Sequence, residues 1–139
     1  MTNFPVTIYH NPACGTSRNT LAMIRAAGYD PLVIESLNVG GTRPHLETLL
    51  KAMGSRPKDI LREKGTPAAE LNLLGPATTG DHLIDAMVPH PILVNRPIVV
   101  TPKGTKLCRP SEVVFQLLER WPDHFTKEDG TVMTIDPQQ

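Results

Sequence analysis

The sequence is short of cysteine and has no surplus of charge, and both shortages narrow what the chain can be. Two cysteines in 139 residues cannot build a disulfide scaffold, and a reducing compartment would keep both as thiols. Fourteen Lys plus Arg balance fourteen Asp plus Glu, so net charge predicts no affinity for nucleic acid or an anionic membrane. No apolar run approaches the roughly 18 residues needed to span a bilayer. The first ten residues, MTNFPVTIYH, have neither the basic region nor the apolar core of a secretion signal. The expected location is therefore the cytoplasm. Five histidines and two cysteines fall at no zinc-ligand spacing, so no metal site is expected. A Walker-type phosphate loop and a dinucleotide fingerprint are both missing, and no tightly bound cofactor is expected either.

What is present fits one domain over residues 1–139. Fourteen prolines stand mostly at the ends of predicted elements, which suits a folded chain with sharp stops. Val6 to Tyr9 reads as a strand. Residues 16–27 read as a helix, with Leu21, Ile24 and Ala27 on one face and Gly28 placed to end it in a left-handed cap. Pro31 to Leu37 reads as a second strand, which predicts a βαβ start with a parallel pair. Gly40-Gly41 is a turn, and Leu46, Leu49, Leu50 and Met53 form the stripe of a second helix. Short helical pieces follow to Val88, giving a helical insert over about residues 43–89.

Residues 92–100 are apolar and β-branched, residues 101–105 suit a hairpin turn, and Lys106 to Cys108 return as a strand. Pro110 suits the start of a final helix burying Val113, Val114, Leu117 and Leu118. Beyond Trp121 no strong period remains, and residues 122–139 read as a surface tail. The outline is β-α-β, a helical insert, then β-β-α, an α/β class.

The informative stretch is HNPACGTSRNT, residues 10–20, where Cys14 sits at the joint between the first strand and the first helix. A helix start presents unpaired N–H groups and the positive end of the helix dipole, and these stabilise a thiolate. At the reference pKa of about 8.5 only about 3% of a thiol is ionised at neutral pH. A depression of about 2 units would make the thiolate the major form. Gly15 allows close approach to the backbone, and the amides of Gly15, Thr16, Ser17 and Arg18 can cradle an oxyanion. His10 and Arg18 are expected to assist as nearby cations. A cysteine at a strand end is more often a small buried residue, but Pro12, Gly15, Thr16 and Ser17 mark an exposed turn.

Two omissions sharpen the chemistry. A phosphatase-type anion loop needs Arg six residues after the Cys, where this chain has Thr20. A dithiol motif needs a second Cys where this chain has Ser17. Cys14 is thus a nucleophile with no local resolving thiol, and Cys108 reads as a packed apolar residue. Arg62, Arg96 and Arg109 each fall at an element's end, and guanidinium forks suit tetrahedral oxyanions. Arg96 precedes Pro97, a candidate for the cis form beside a strand.

HNPACGTSRNTL, with HPILVNRPIVV and GTKLCRPSEVV downstream, resembles the glutaredoxin-linked arsenate reductases of bacteria. The resemblance implies a thioredoxin-like fold with a mixed four-stranded sheet and a helical insert. It implies Cys14 as nucleophile, His10 as an aid to its ionisation, and Arg62, Arg96 and Arg109 as an oxyanion clamp. It also implies arsenate as substrate, glutathione as co-substrate and glutaredoxin as partner. The weaker alternatives are a glutathione-dependent thiol reductase and a thiol-sensing regulator of RNA polymerase. The arginines argue against the first and Ser17 against the second.

Overall fold

The computed structural model describes residues 4–35 and 43–135. The expected Gly40-Gly41 turn and the end of the expected second strand lie outside the described residues. Clustering of the chain gives two compact units, 4–35 with 96–135 and 43–95 among the described residues.

The first unit holds a four-stranded sheet of β1 (Thr7–Tyr9), β2 (Leu32–Ile34), β3 (Ile98–Thr101) and β4 (Gly104–Leu107), in the order β2-β1-β3-β4. β1 runs parallel to β2, with Ile8 opposite Val33, and antiparallel to β3, with Ile8 opposite Val99. β3 and β4 form a hairpin that pairs Thr101 with Gly104. Helix α1 (Gly15–Ala26) crosses from β1 to β2 and ends at Gly28, whose φ of 92° is the left-handed cap expected there. This is a thioredoxin-like fold with a mixed sheet. Parallel neighbours need such a crossover, and the antiparallel pair needs only a tight turn.

Register explains how distant residues meet. Tyr9 pairs with Ile98, and Ile98 pairs with Leu107, so the end of β1, the start of β3 and the end of β4 share one end of the sheet. Beyond that row the His10 N–H donates to the Ile34 carbonyl at 2.8 Å, and the Cys108 N–H donates to the Pro97 carbonyl at 2.9 Å. The loop after β1, the Arg96-Pro97 pair and the Arg109-Pro110 pair are therefore neighbours. Both X-Pro bonds are cis.

The expected final helix forms as a seven-residue 3-10 helix, Ser111–Leu117. Ser111, Val114 and Leu117 are buried at spacings of three, the period of a 3-10 helix. Val113, Val114 and Phe115 are weak α-helix formers, which leaves tertiary packing to choose the tighter turn. Phe115 and Leu118 are buried with Met23 and Ile24 of α1 in one apolar core. Each such side chain contributes about 1.5–3 kcal/mol when removed from water.

The stretch after Trp121 corrects the expectation of a surface tail. It contains a hairpin, β5 (His124–Thr126) and β6 (Val132–Thr134), and Phe125, Met133 and Ile135 pack against the core. Its turn is closed by the Asp129 carboxylate, which accepts from the Thr131 N–H at 2.8 Å, and by Gly130 at φ 90°.

The second unit contains α2 (Arg43–Met53), α3 (Gly80–Met87) and two short 3-10 helices, Pro57–Ile60 and Pro91–Leu93. Leu46, Leu49 and Leu50 of α2 are buried, as are Leu83, Ile84 and Met87 of α3. Arg43 ties the two helices by donating to Asp81 and Asp85, each at 2.7 Å. No helix among the described residues is long and apolar enough to cross a membrane.

Candidate active site

Cys14 is the N-cap residue of α1, with the extended backbone (φ −102°, ψ 123°) typical of that position. The loop that delivers it is built on Asn11. The Asn11 side-chain oxygen accepts from the Ala13 N–H at 3.1 Å, and its carbonyl accepts from the Cys14 N–H at 3.0 Å. Asn11 in turn donates its own N–H to Ser17 Oγ at 3.0 Å. That hydroxyl is also hydrogen-bonded to His10 Nδ1 at 2.6 Å, and both side chains are buried. The strand end, the loop and the helix's first turn are thus fixed to one another by a single serine.

No side chain caps the start of α1 through a hydrogen bond, so the sulfur occupies the place where a capping oxygen would sit. Burial opposes ionisation of Cys14 and is the largest single influence on it. The Ser17 amide, the Arg109 guanidinium and the Thr16 amide act the other way, and their sum holds the thiol below its ordinary pKa. Arg109 Nη1 donates to Cys14 Sγ at 3.5 Å and to the Arg96 carbonyl at 3.0 Å. One guanidinium nitrogen therefore ties the nucleophile to the residue preceding cis-Pro97.

The structure brings together Cys14, Thr16, Ser17, His10, Arg109 and the backbone of Arg96. Arg96 itself is 3% exposed and lies near enough to His10 to disfavour its protonation. Arg62 belongs to the second unit, where its N–H donates to the Leu93 carbonyl at 2.7 Å.

The expectation of a cationic His10 is corrected. His10 is 4% exposed, and burial holds its pKa below the usual histidine value; Glu35 opposes this, while Arg25, Arg96 and Arg18 reinforce it. The neutral imidazole is therefore the favoured form. Its contact with Cys14 runs through Ser17, as a positioning residue. Arg18 remains a cation near the thiolate but is taken up by Glu128, donating from Nε at 3.0 Å and from Nη2 at 2.7 Å. Glu128 is the site residue the sequence reading passed over. The signal was there: Asp129-Gly130 between HFT and VMT is a hairpin turn pair.

Cys108 is fully buried just past β4, and burial pushes its pKa up to about 12. Its thiol donates to the Lys106 carbonyl at 3.7 Å. It is a packed thiol, unlike Cys14. Among the described residues no cluster of His, Cys, Asp and Glu could hold a metal ion.

The thioredoxin-like unit thus carries a half-buried cysteine of lowered pKa at a helix start, with a guanidinium donating to its sulfur. The chain belongs to the ArsC family, which it matches over residues 9–117. It is 56% identical to the arsenate reductase ArsI1 of Synechocystis sp. over 134 residues, covering 96% of this chain and 93% of that one. It is 54% identical to the arsenate reductase of Escherichia coli K12, covering 90% of this chain and 89% of the relative. Among solved structures, an arsenate reductase from Vibrio cholerae superposes with a TM-score of 0.77 at 36% identity, covering 84% of this chain and 100% of that one.

Proposed function

We propose that this protein reduces arsenate to arsenite in arsenic detoxification, in the cytoplasm, with Cys14 as the nucleophile. The observation that carries this is the Cys14 sulfur at a helix start, with Arg109 donating to it at 3.5 Å. The Synechocystis and Escherichia coli arsenate reductases, more than half identical to this chain over at least 90% of its length, support the substrate.

Arsenate binds as a tetrahedral oxyanion against Arg109 and Arg96 and the Gly15, Thr16 and Ser17 amides. Guanidinium forks suit this because they stay charged and match oxyanion geometry. Cys14 thiolate attacks arsenic and hydroxide leaves, forming a Cys14–S–As(V) bond. Glutathione adds through its thiol, and water leaves. The glutaredoxin thiolate then attacks the glutathione sulfur; the S–As bond breaks, its electron pair stays on arsenic as As(III), and a mixed disulfide departs. Hydrolysis releases arsenite and regenerates Cys14 thiolate. An external thiol is needed because Ser17 stands where a resolving cysteine would be, and Cys108 is buried with a pKa of about 12.

The test is NADPH oxidation by the purified protein with arsenate. Turnover should require glutathione, glutathione reductase and glutaredoxin together, and thioredoxin with its reductase should support little. Strong thioredoxin-driven turnover would overturn the donor assignment and leave the substrate standing. Thiol-reductase turnover independent of arsenate would overturn the substrate.

A further inference from the structure

The rim of the Cys14 loop carries a carboxylate that the reaction above does not use. Glu128 lies at the tip of the C-terminal hairpin, and both of its oxygens accept from Arg18. The third guanidinium nitrogen, Nη1, donates to the Pro12 carbonyl at 2.8 Å, inside the loop that delivers Cys14. Glu128 also packs over the first helical residue: a Cβ added at Gly15 would lie 3.1 Å from Glu128 Oε1. The cation beside the nucleophile is thus held in a bidentate fork by a carboxylate that packs over Gly15, the residue next to that nucleophile.

The hairpin has no need of this ion pair to stay in place. The Glu128 backbone N–H donates to the Asn19 side-chain oxygen at 3.0 Å, Lys127 pairs with Glu112 at 3.0 Å, and Phe125, Met133 and Ile135 pack on the core. An exposed ion pair contributes little to stability in any case. Its position gives it a different effect, on which charges can approach Cys14.

We propose that Glu128 sets the charge preference for the second reactant at Cys14: it occupies Arg18, so that an anionic thiol reaches the sulfur only by displacing the Glu128 carboxylate from that guanidinium. That the second reactant is an anionic thiol rests on the glutathione reading above. The Arg18–Glu128 pair is then an exchangeable contact, with the protein's own carboxylate standing in for one of the co-substrate's. Such a contact lowers affinity for free anions at the rim and reserves Arg18 for a ligand that can offer a carboxylate in the same geometry.

The experiment compares alkylation of Cys14 by iodoacetate and by iodoacetamide, which differ in charge and share one chemistry. It needs neither arsenate nor glutathione, so its result is independent of the donor assignment. Taking the rate ratio at one pH cancels the thiolate fraction, and buried Cys108 should stay unlabelled. Glu128→Gln should raise the iodoacetate-to-iodoacetamide ratio roughly three- to tenfold at low salt, and added salt should shrink the rise. In the Arg18→Gln, Glu128→Gln double variant the rise should disappear. An unchanged ratio in Glu128→Gln would overturn the proposal. So would equal acceleration with both reagents, which would mean the hairpin merely covers the site. A rise that survives in the double variant would also overturn it, because plain repulsion would then be enough.

Discussion

Cys14 and Cys108 belong to the same compact unit, and burial opposes ionisation of both, yet they end on opposite sides of the ordinary thiol pKa. The difference lies in what burial leaves nearby. Around Cys14 the chain turns into a helix, which points the Thr16 and Ser17 amides at the sulfur, and Arg109 adds a charged donor. Around Cys108 the neighbours are core side chains, its thiol donates to a carbonyl, and burial outweighs the Lys106 charge that acts the other way. Arg109 follows Cys108 directly in the chain, yet its guanidinium serves Cys14.

The comparison breaks most sharply at the sulfurs themselves. Cys14→Ser should reduce arsenate turnover to background, since a serine hydroxyl is not ionised at neutral pH and forms no reducible bond to arsenic. Cys108→Ala should keep most of the rate and lose about 1 kcal/mol of stability, the cost of a small core cavity. Steady-state rates and urea unfolding of the two variants check both halves. A folded but inactive Cys108→Ala would show that the buried thiol takes part in turnover, and would erase the contrast.

A smaller effect is expected at Arg109, the residue between the two environments. Arg109→Lys keeps a positive charge and loses the planar fork whose Nη1 reaches both Cys14 Sγ and the Arg96 carbonyl. The expected result is a rate lower by roughly 10- to 100-fold, about 1.4–2.7 kcal/mol of barrier. The pH profile of Cys14 alkylation should move upward, toward that of an ordinary thiol. If lysine sustains the wild-type rate and profile, charge alone acidifies Cys14 and the directed hydrogen bond adds nothing.

Much of this was legible in the chain. The apolar runs around Ile8 and Val99 and the stripe Leu21, Ile24 and Ala27 mark the sheet and α1, because strand and helix periods are local properties. The place of Cys14 at a strand–helix joint, with helix-start amides beside its sulfur, was legible from the turn residues around it. Three things were not legible. The gathering of Cys14, Arg96 and Arg109 depends on the register Tyr9–Ile98–Leu107, and no local pattern encodes a register across ninety residues of chain. The lowered pKa of His10 depends on burial by the folded core, reinforced by Arg25 and Arg96. The hairpin after Trp121 was missed because its strands are three residues long, and only the Asp129-Gly130 turn pair marked them.

His10 extends the comparison to a third buried group. Burial disfavours whichever form is charged, so it raises the pKa of a thiol such as Cys108 and lowers that of an imidazole. The sign for stability follows. Above about pH 6.5 the imidazole is neutral in both the folded and the unfolded chain, and His10 contributes no pH dependence. Below that, the unfolded chain takes up a proton that the folded chain refuses until a lower pH. The unfolded state then binds more protons, and stability falls as pH falls, by at most about 1.4 kcal/mol per pH unit from this one group. His10→Gln removes the titration and keeps an amide that can hydrogen-bond with Ser17 Oγ. The other four histidines are exposed, and their contributions cancel when variant and wild type are compared at each pH. Urea unfolding between about pH 5.5 and 7.5 should show wild type losing stability relative to His10→Gln as pH drops. Parallel curves would mean that folded His10 protonates like a free histidine. It would then be a cation near Cys14 only below about pH 6.5, and would add there to the amides and Arg109 in acidifying that thiol.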